Sequence, residues 1–209
     1  MKSHVALIDY GAGNLKSVQH AFEFLGSTVS IIDKPSTESF SHIILPGVGS
    51  FRRAMNLLKT SRLDSYIKEK YFSNVPILGI CLGMQLLCSR SSEDGETQGL
   101  GLIDGDIDRF AFDLSISDLK IPHVGFSTIK TMSHSRLFGC KEQEIDFYFT
   151  HSYRLTCNTD TSVAAKAWHG ETFVPAVEKN LLAGTQFHPE KSQKNGLDLL
   201  RNFLVNFNA

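Results

Sequence analysis

An α/β domain with an open, mostly parallel (mixed) sheet flanked by helices is what this sequence predicts, and three observations predict it. Short continuous apolar runs end in turn residues, as strands buried on both faces do. Segments of helical periodicity alternate with these runs over roughly the first ninety residues, the pattern of parallel strands joined by helical crossovers. Beyond that point the runs shorten and become richer in β-branched and aromatic residues, so the second half adds antiparallel or mixed strands. At 209 residues, with no repeat, low-complexity tract or linker, the chain reads as one domain spanning 1–209.

Taken in order, "HVALID" is a strand ending at Asp9, "YGAGN" a glycine turn, and Leu15, Val18, Phe22 and Leu25 the apolar stripe of a helix. Asn14 is placed to cap that helix and Gly26 to stop it. "TVSII" and "HIILP" follow as buried strands. The stretch from "VGSF" to "EKYF" carries one helical pattern through Ala54, Leu57, Leu58, Leu63, Tyr66 and Ile67 before "PILGI" returns to an extended run. "SRSSEDGETQG" is a polar loop. "FYFTHSY", "SVAAKAW", "FVPAVE" and "LLAGTQF" are strands, and "NGLDLLRNFLVNF" is a terminal helix with Leu197, Leu200, Leu204 and Phe207 on one stripe. Phe110 to Lys130 carries the weakest pattern.

Charge and cysteine usage narrow the function classes. There are 21 basic and 22 acidic residues, no block of like charge and a pI near 6.7, so nothing points to nucleic acid or an anionic membrane. No apolar run suits a signal peptide or a membrane span, and a cytoplasmic protein is expected. Cys81, Cys88, Cys140 and Cys157 form no CxxC pair and no secreted framework, so reduced thiols are expected.

The chemistry concentrates in three places. Gly79, Cys81 and Gly83 make a GxCxG pattern where the buried strand "PILGI" meets a helix starting near Leu82, the cysteine counterpart of a nucleophile elbow. Flanking glycines allow close backbone packing, and unpaired N–H groups at a helix start favour a thiolate. Taken alone, the same pattern suits a buried packing thiol; Cys88, seven residues on and without glycines, reads as core filling. The second place is "GTQFHPEKS", where His188 follows an apolar strand and Glu190 is placed to orient its imidazole. Both segments belong at the strand edge where open α/β sheets bind ligands. The third is "ILPGVGSF", whose Gly47, Val48 and Gly49 permit a backbone N–H to turn toward an oxyanion; alone it is equally an ordinary glycine turn.

In combination, "LPGVGSF", "GICLGMQLL" and "QFHPE" resemble the oxyanion loop, cysteine elbow and late His-Pro-Glu of the class I (triad) glutamine amidotransferases, in that family's order. The resemblance implies a flavodoxin-like fold, L-glutamine as substrate and no cofactor or metal. It implies Cys81 as nucleophile, His188 as acid and base, Glu190 as its orienting carboxylate, and the backbone N–H groups of Leu82 and, after a peptide rearrangement, Val48 as oxyanion donors. Gly49, Gln85, Glu93, Ser152 and Tyr153 are implied to hold glutamine.

Within the family, "DYGAGNLKSV", "YFTHSY", "AVEKNLLAGTQFHPEKS" and "LLRNF" look like the glutaminase subunits that pass ammonia to a (βα)8-barrel synthase in histidine biosynthesis. The implied assembly is a heterodimer, with Asn14, Phe126 and Lys191 toward the partner. One segment departs from that pattern: after Gly125 the chain has Phe126 and Ser127 where the family usually has tryptophan and asparagine. A paralogous synthase acting on a nucleotide sugar or polysaccharide precursor is therefore a second destination for the ammonia. A non-catalytic regulatory subunit and an unrelated cysteine hydrolase or redox protein are the readings from other classes.

Overall fold

Continuous apolar strands need a core on each face, and the sheet is built that way in the computed structural model, which describes residues 3–112, 119–157 and 162–208. Strand β1 (His4–Ile8) leads through α1 (Leu15–Phe24) to β2 (Thr28–Ile32) and β3 (His42–Leu45). Helices α2 (Phe51–Thr60) and α3 (Leu63–Phe72) precede β4 (Ile77–Ile80), and α4 (Leu82–Leu87) follows it after a single residue. Then come β5 (Arg90–Ser91), β6 (Thr97–Gln98), β7 (Gly105–Arg109), β8 (His123–Thr131), β9 (Glu144–His151), β10 (Tyr153–Cys157), β11 (Val163–His169), β12 (Glu171–Lys179), β13 (Leu182–Thr185) and α5 (Gln193–Asn206).

The central strands run in the order β2-β1-β3-β4-β13, all parallel. At β13 the sheet changes sense. β12 pairs antiparallel with β13 and passes on to β11, β8 and β9 along one branch and to β10 and β7 along the other. The mixed architecture expected from the sequence is therefore divided by position, parallel at the centre and largely antiparallel beyond β13. Alternate residues of each central strand feed opposite cores. Val5, Leu7, Ile44 and Leu78 pack with Val18 and Phe22 of α1 and with Leu200 and Phe203 of α5. Ala6, Ile8, Ile43, Leu45 and Ile77 pack with Ala54, Leu58 and Ile67 of the α2–α3 pair and with Leu86 of α4. Each fully buried Leu, Ile or Phe contributes about 1.5–3 kcal/mol.

Three details differ from the pattern read in sequence. The segment after "VGSF" is two helices, because Arg62 takes a left-handed conformation (φ 61°) while Thr60 and Ser61 turn their hydroxyls back onto the carbonyls of Asn56 and Leu57. The apolar periodicity survives the break because both helices press on the same core. Asn14 precedes α1 but gives it no side-chain cap; its amide donates to Ser17 Oγ at 3.0 Å. In α5 the buried stripe is Leu199, Leu200, Phe203 and Leu204, continued by Phe207 beyond the helix, with Leu197 only partly buried. Gly26 ends α1 as expected, at φ +88°, with Ser27 N–H closing onto Phe22 O at 3.0 Å. Within Phe110 to Lys130, residues 113–118 lie outside the described residues. Among the described residues no helix is long and apolar enough to cross a membrane.

Candidate active site

The register of two neighbouring strands brings the cysteine and the histidine together. β4 and β13 run parallel with Ile80 opposite Thr185, so the residues just past each strand emerge side by side. Cys81 N–H donates to Thr185 O at 2.7 Å, extending the ladder by one rung. Cys81 itself sits at φ 54°, ψ −113°, a conformation costly for a residue with a Cβ and held by its surroundings. The two glycines explain how those surroundings fit. A Cβ on Gly83 would lie 1.7 Å from Leu45 O, and one on Gly79 would lie 2.6 Å from Met84 N. Strand, elbow and helix therefore pack backbone against backbone. α4 is only six residues long, so local N–H groups at its start, that of Leu82 among them, outweigh any long-range dipole.

His188 follows β13 and is fastened at its backbone. Its N–H donates to Tyr148 O at 2.9 Å, and Ser192 Oγ donates to its carbonyl at 2.7 Å. Nδ1 lies 2.8 Å from Glu190 Oε1, with both side chains almost completely buried. Nε2 is buried and makes no hydrogen bond of ordinary geometry, as is also true of Glu190 Oε2. Burial alone would lower the His188 pKa. Hydrogen bonding and charge from Cys81, then from Glu190, outweigh it and raise the value to about 9. Nε2 is thus the ring nitrogen left for the sulfur.

An open cavity of about 410 Å³ lies over Cys81. It is lined by Val48, Gly49, Leu82, Gln85, Glu93, Ser152 and Tyr153, the full set expected around substrate and oxyanion, together with Pro122, Thr150 and His151. Gly49 holds the loop at φ +102°. Two of these residues also have structural partners. Glu93 Oε2 accepts the N–H of Phe51, the first residue of α2, at 2.7 Å; burial raises its pKa, that N–H opposes the rise, and Asp94 adds to it. Gln85 Nε2 donates to Gln186 Oε1 at 2.9 Å and to Tyr153 O at 3.3 Å. On the outer surface Phe126, 53% exposed, packs edge to face on Tyr148 at 5.6 Å, and Lys191 Nζ lies 5.7 Å from the same ring. Asn14 is exposed at the start of α1. Cys88, by contrast, is buried, with its thiol against Met84 O at 3.4 Å.

Sequence reasoning assigned no role to four buried polar residues, of which His151 lines this cavity. His123 Nδ1 lies 3.0 Å from His151 Nε2, His123 Nε2 lies 2.7 Å from Ser127 Oγ, and His151 Nδ1 lies 2.8 Å from Tyr153 O. Burial, and then the neighbouring His169, lower the His123 pKa to about 4. Burial lowers that of His151 to about 3, against the pull of the Tyr153 carbonyl. The Tyr10 hydroxyl is buried without a partner, and a Cβ on Gly47 would fall 2.1 Å from it. Gln186, fully buried, places Nε2 3.7 Å from Cys81 Sγ. The one sequence signal for it was an amide at the end of an otherwise apolar strand.

The class-I glutamine amidotransferase family matches residues 6–207 of the chain. The chain belongs to that family. Among its relatives is imidazole glycerol phosphate synthase subunit HisH 1 of Campylobacter jejuni (strain RM1221), 45% identical over 202 residues, 96% of this chain and 98% of that protein. The HisH subunits of Oceanobacillus iheyensis and Leptospira interrogans are 39% and 40% identical, over 95% of this chain and 97% and 98% of their own length. Solved glutamine amidotransferases share the fold. One crystal structure superposes with a TM-score of 0.75 over 96% of this chain and 97% of its own at 18% identity. Another, from Thermotoga maritima, gives 0.70 over 99% and 98% at 15% identity.

Proposed function

We propose that this class I glutamine amidotransferase is the glutaminase subunit of an imidazole glycerol phosphate synthase, acting in histidine biosynthesis. The observation that carries the mechanism is Cys81 in the lining of a cavity large enough for one amino acid, interacting with His188, which is in turn bonded to Glu190. The sulfur attacks the side-chain carboxamide carbon of glutamine. The carbonyl oxygen gains charge as the C–S bond forms, and we assign as its donors the N–H of Leu82 and, once the loop peptide turns, that of Val48, both residues of the cavity lining. His188, held protonated at neutral pH by Cys81 and Glu190, delivers its proton to the departing nitrogen, and ammonia leaves behind a γ-glutamyl thioester. The imidazole is then neutral and takes a proton from water, whose oxygen displaces the sulfur to release glutamate. Gly49, Gln85, Glu93, Ser152 and Tyr153 hold the rest of the substrate. No metal or cofactor enters these steps.

The relatives are named as synthase subunits, and the second subunit assigned here is a (βα)8-barrel synthase that receives the ammonia. Its contact face includes Phe126, Lys191 and Asn14; the Phe126–Tyr148–Lys191 cluster offers an exposed aromatic surface with a cation beside it. The reading places the enzyme in the cytoplasm. The test is glutamate release with the purified barrel subunit of the histidine pathway and its ligand present. Glutamine-dependent product is expected. Partner binding without glutamate release would leave a regulatory subunit, and activity only with a nucleotide-sugar synthase would redirect the ammonia, with Phe126 and Ser127 marking the altered contact.

A further inference from the structure

The side-chain amide of Gln186 lies against the Cys81 sulfur, and its surroundings decide which end faces it. The Tyr153 carbonyl can only accept hydrogen bonds. It takes one from His151 Nδ1 at 2.8 Å and one from Gln85 at 3.3 Å, so Gln85 must present its nitrogen. That nitrogen is also 2.9 Å from the Gln186 amide, where its second hydrogen needs an acceptor. Gln186 must therefore present oxygen to Gln85 and nitrogen to the sulfur, 3.7 Å away. With Gln186 fully buried, no bulk water competes for the contact. Gln186 N–H donates in turn to Pro175 O at 2.8 Å, so the residue is pinned at its backbone as well.

We infer that Gln186 is a further working residue of this site: an N–H donor to the nucleophilic sulfur, oriented by the Tyr153 carbonyl through Gln85. It favours the thiolate over the thiol and holds the sulfur toward His188 and the cavity. The inference rests on the reading of Cys81 as nucleophile. A hydrogen bond to a charged group in a buried site changes the balance of ionised and neutral forms by about tenfold.

Two substitutions separate this role from packing. Gln186→Met keeps the length of the side chain and removes the donor. Gln186→Glu keeps the acceptor facing Gln85 and turns a carboxylate oxygen toward the sulfur. Iodoacetamide alkylation is followed by peptide mass spectrometry, with exposed Cys140 as the control in the same molecule. At pH 7, Cys81 should react about tenfold more slowly in Gln186→Met, and more slowly still in Gln186→Glu, with its rate profile displaced to higher pH. Cys140 should be unchanged, and kcat for glutamine should fall with KM held within about twofold.

A Cys81 profile in Gln186→Glu that overlays the unaltered protein overturns the inference. If neither variant folds, NMR of the unaltered protein decides: the Gln186 side-chain amide signal should move as Cys81 titrates, and a signal that stays put refutes the contact. Absence of glutamine turnover in the unaltered complex would sink the glutaminase reading instead, leaving these sulfur measurements standing.

Discussion

His188 and the His123–His151 pair are all nearly fully buried, yet their environments push them in opposite directions. His188 faces Glu190 and Cys81 and is held protonated past neutrality, with a pKa of about 9. His123 and His151 have another imidazole, a serine hydroxyl and a backbone carbonyl as neighbours, and they stay neutral down to about 4 and 3. Burial penalises charge in both places, so the partner decides the outcome. The pair works as neutral polar scaffolding for the cavity wall at Tyr153. His188, in the mechanism proposed above, is the proton donor of the acyl transfer.

Removing the sulfur should have the largest effect on this contrast. Cys81→Ala should lower glutamine-dependent synthesis by roughly 10⁴-fold or more while the partner's ammonia-dependent reaction persists. The His188 titration, followed by NMR, should move down at the same time. Loss of the ammonia-dependent activity as well would mean that Cys81 supports assembly. Glu190→Gln preserves a hydrogen-bonding atom but removes the charge; kcat should drop on the order of 100-fold and His188 should titrate closer to 6.5. An unchanged titration would show that Cys81 alone sets the imidazole.

The two sites also predict opposite limbs of a stability profile. His123 and His151 have depressed values in the folded protein, so the unfolded chain binds more protons below about 6.5. Their contribution is complete above that pH and is lost as pH falls toward 4, by about 1.4 kcal/mol per pH unit for each proton taken up. His188 has a raised value, so its contribution is complete below about 6.5 and is lost as pH rises through about 9. Urea unfolding from pH 4 to pH 10 measures both limbs. His151→Leu should remove one proton from the acid slope and cost about 2 kcal/mol at pH 7, by leaving Tyr153 O and the His123 ring each short of a partner. An acid slope that is unchanged would contradict the neutral pair. The smallest effect belongs to the other buried cysteine. Cys88→Ala should cost about 1 kcal/mol of stability and leave glutaminase activity intact, whereas a loss of activity would undo the division between the two thiols.

How much of this was readable depends on the range of the constraint. The Cys81 elbow was legible because part of its requirement is local: a Cβ on Gly79 would strike Met84 five residues on, while the strand Gly83 must clear, β3 at Leu45, is one the motif does not name. His188 and Glu190 were legible because they are two residues apart around a proline turn. The break at Arg62 was hidden, since a left-handed arginine carries no glycine signal and the apolar spacing runs on across it. Glu93 read as a substrate ligand without its bond to Phe51 N–H, which depends on how the loop after α4 folds back onto α2.

By itself, then, the sequence determined the alternating α/β pattern, the family and the three side chains proposed to react, because hydrophobic period and short glycine and proline motifs act within a few residues. The tertiary structure decided everything that needs two distant segments in contact: the β4–β13 register that sets Cys81 beside His188, the amide pair that turns Gln186 onto the sulfur, and the opposite protonation of equally buried histidines. Those properties follow from what each group faces across space, and a linear chain does not record that.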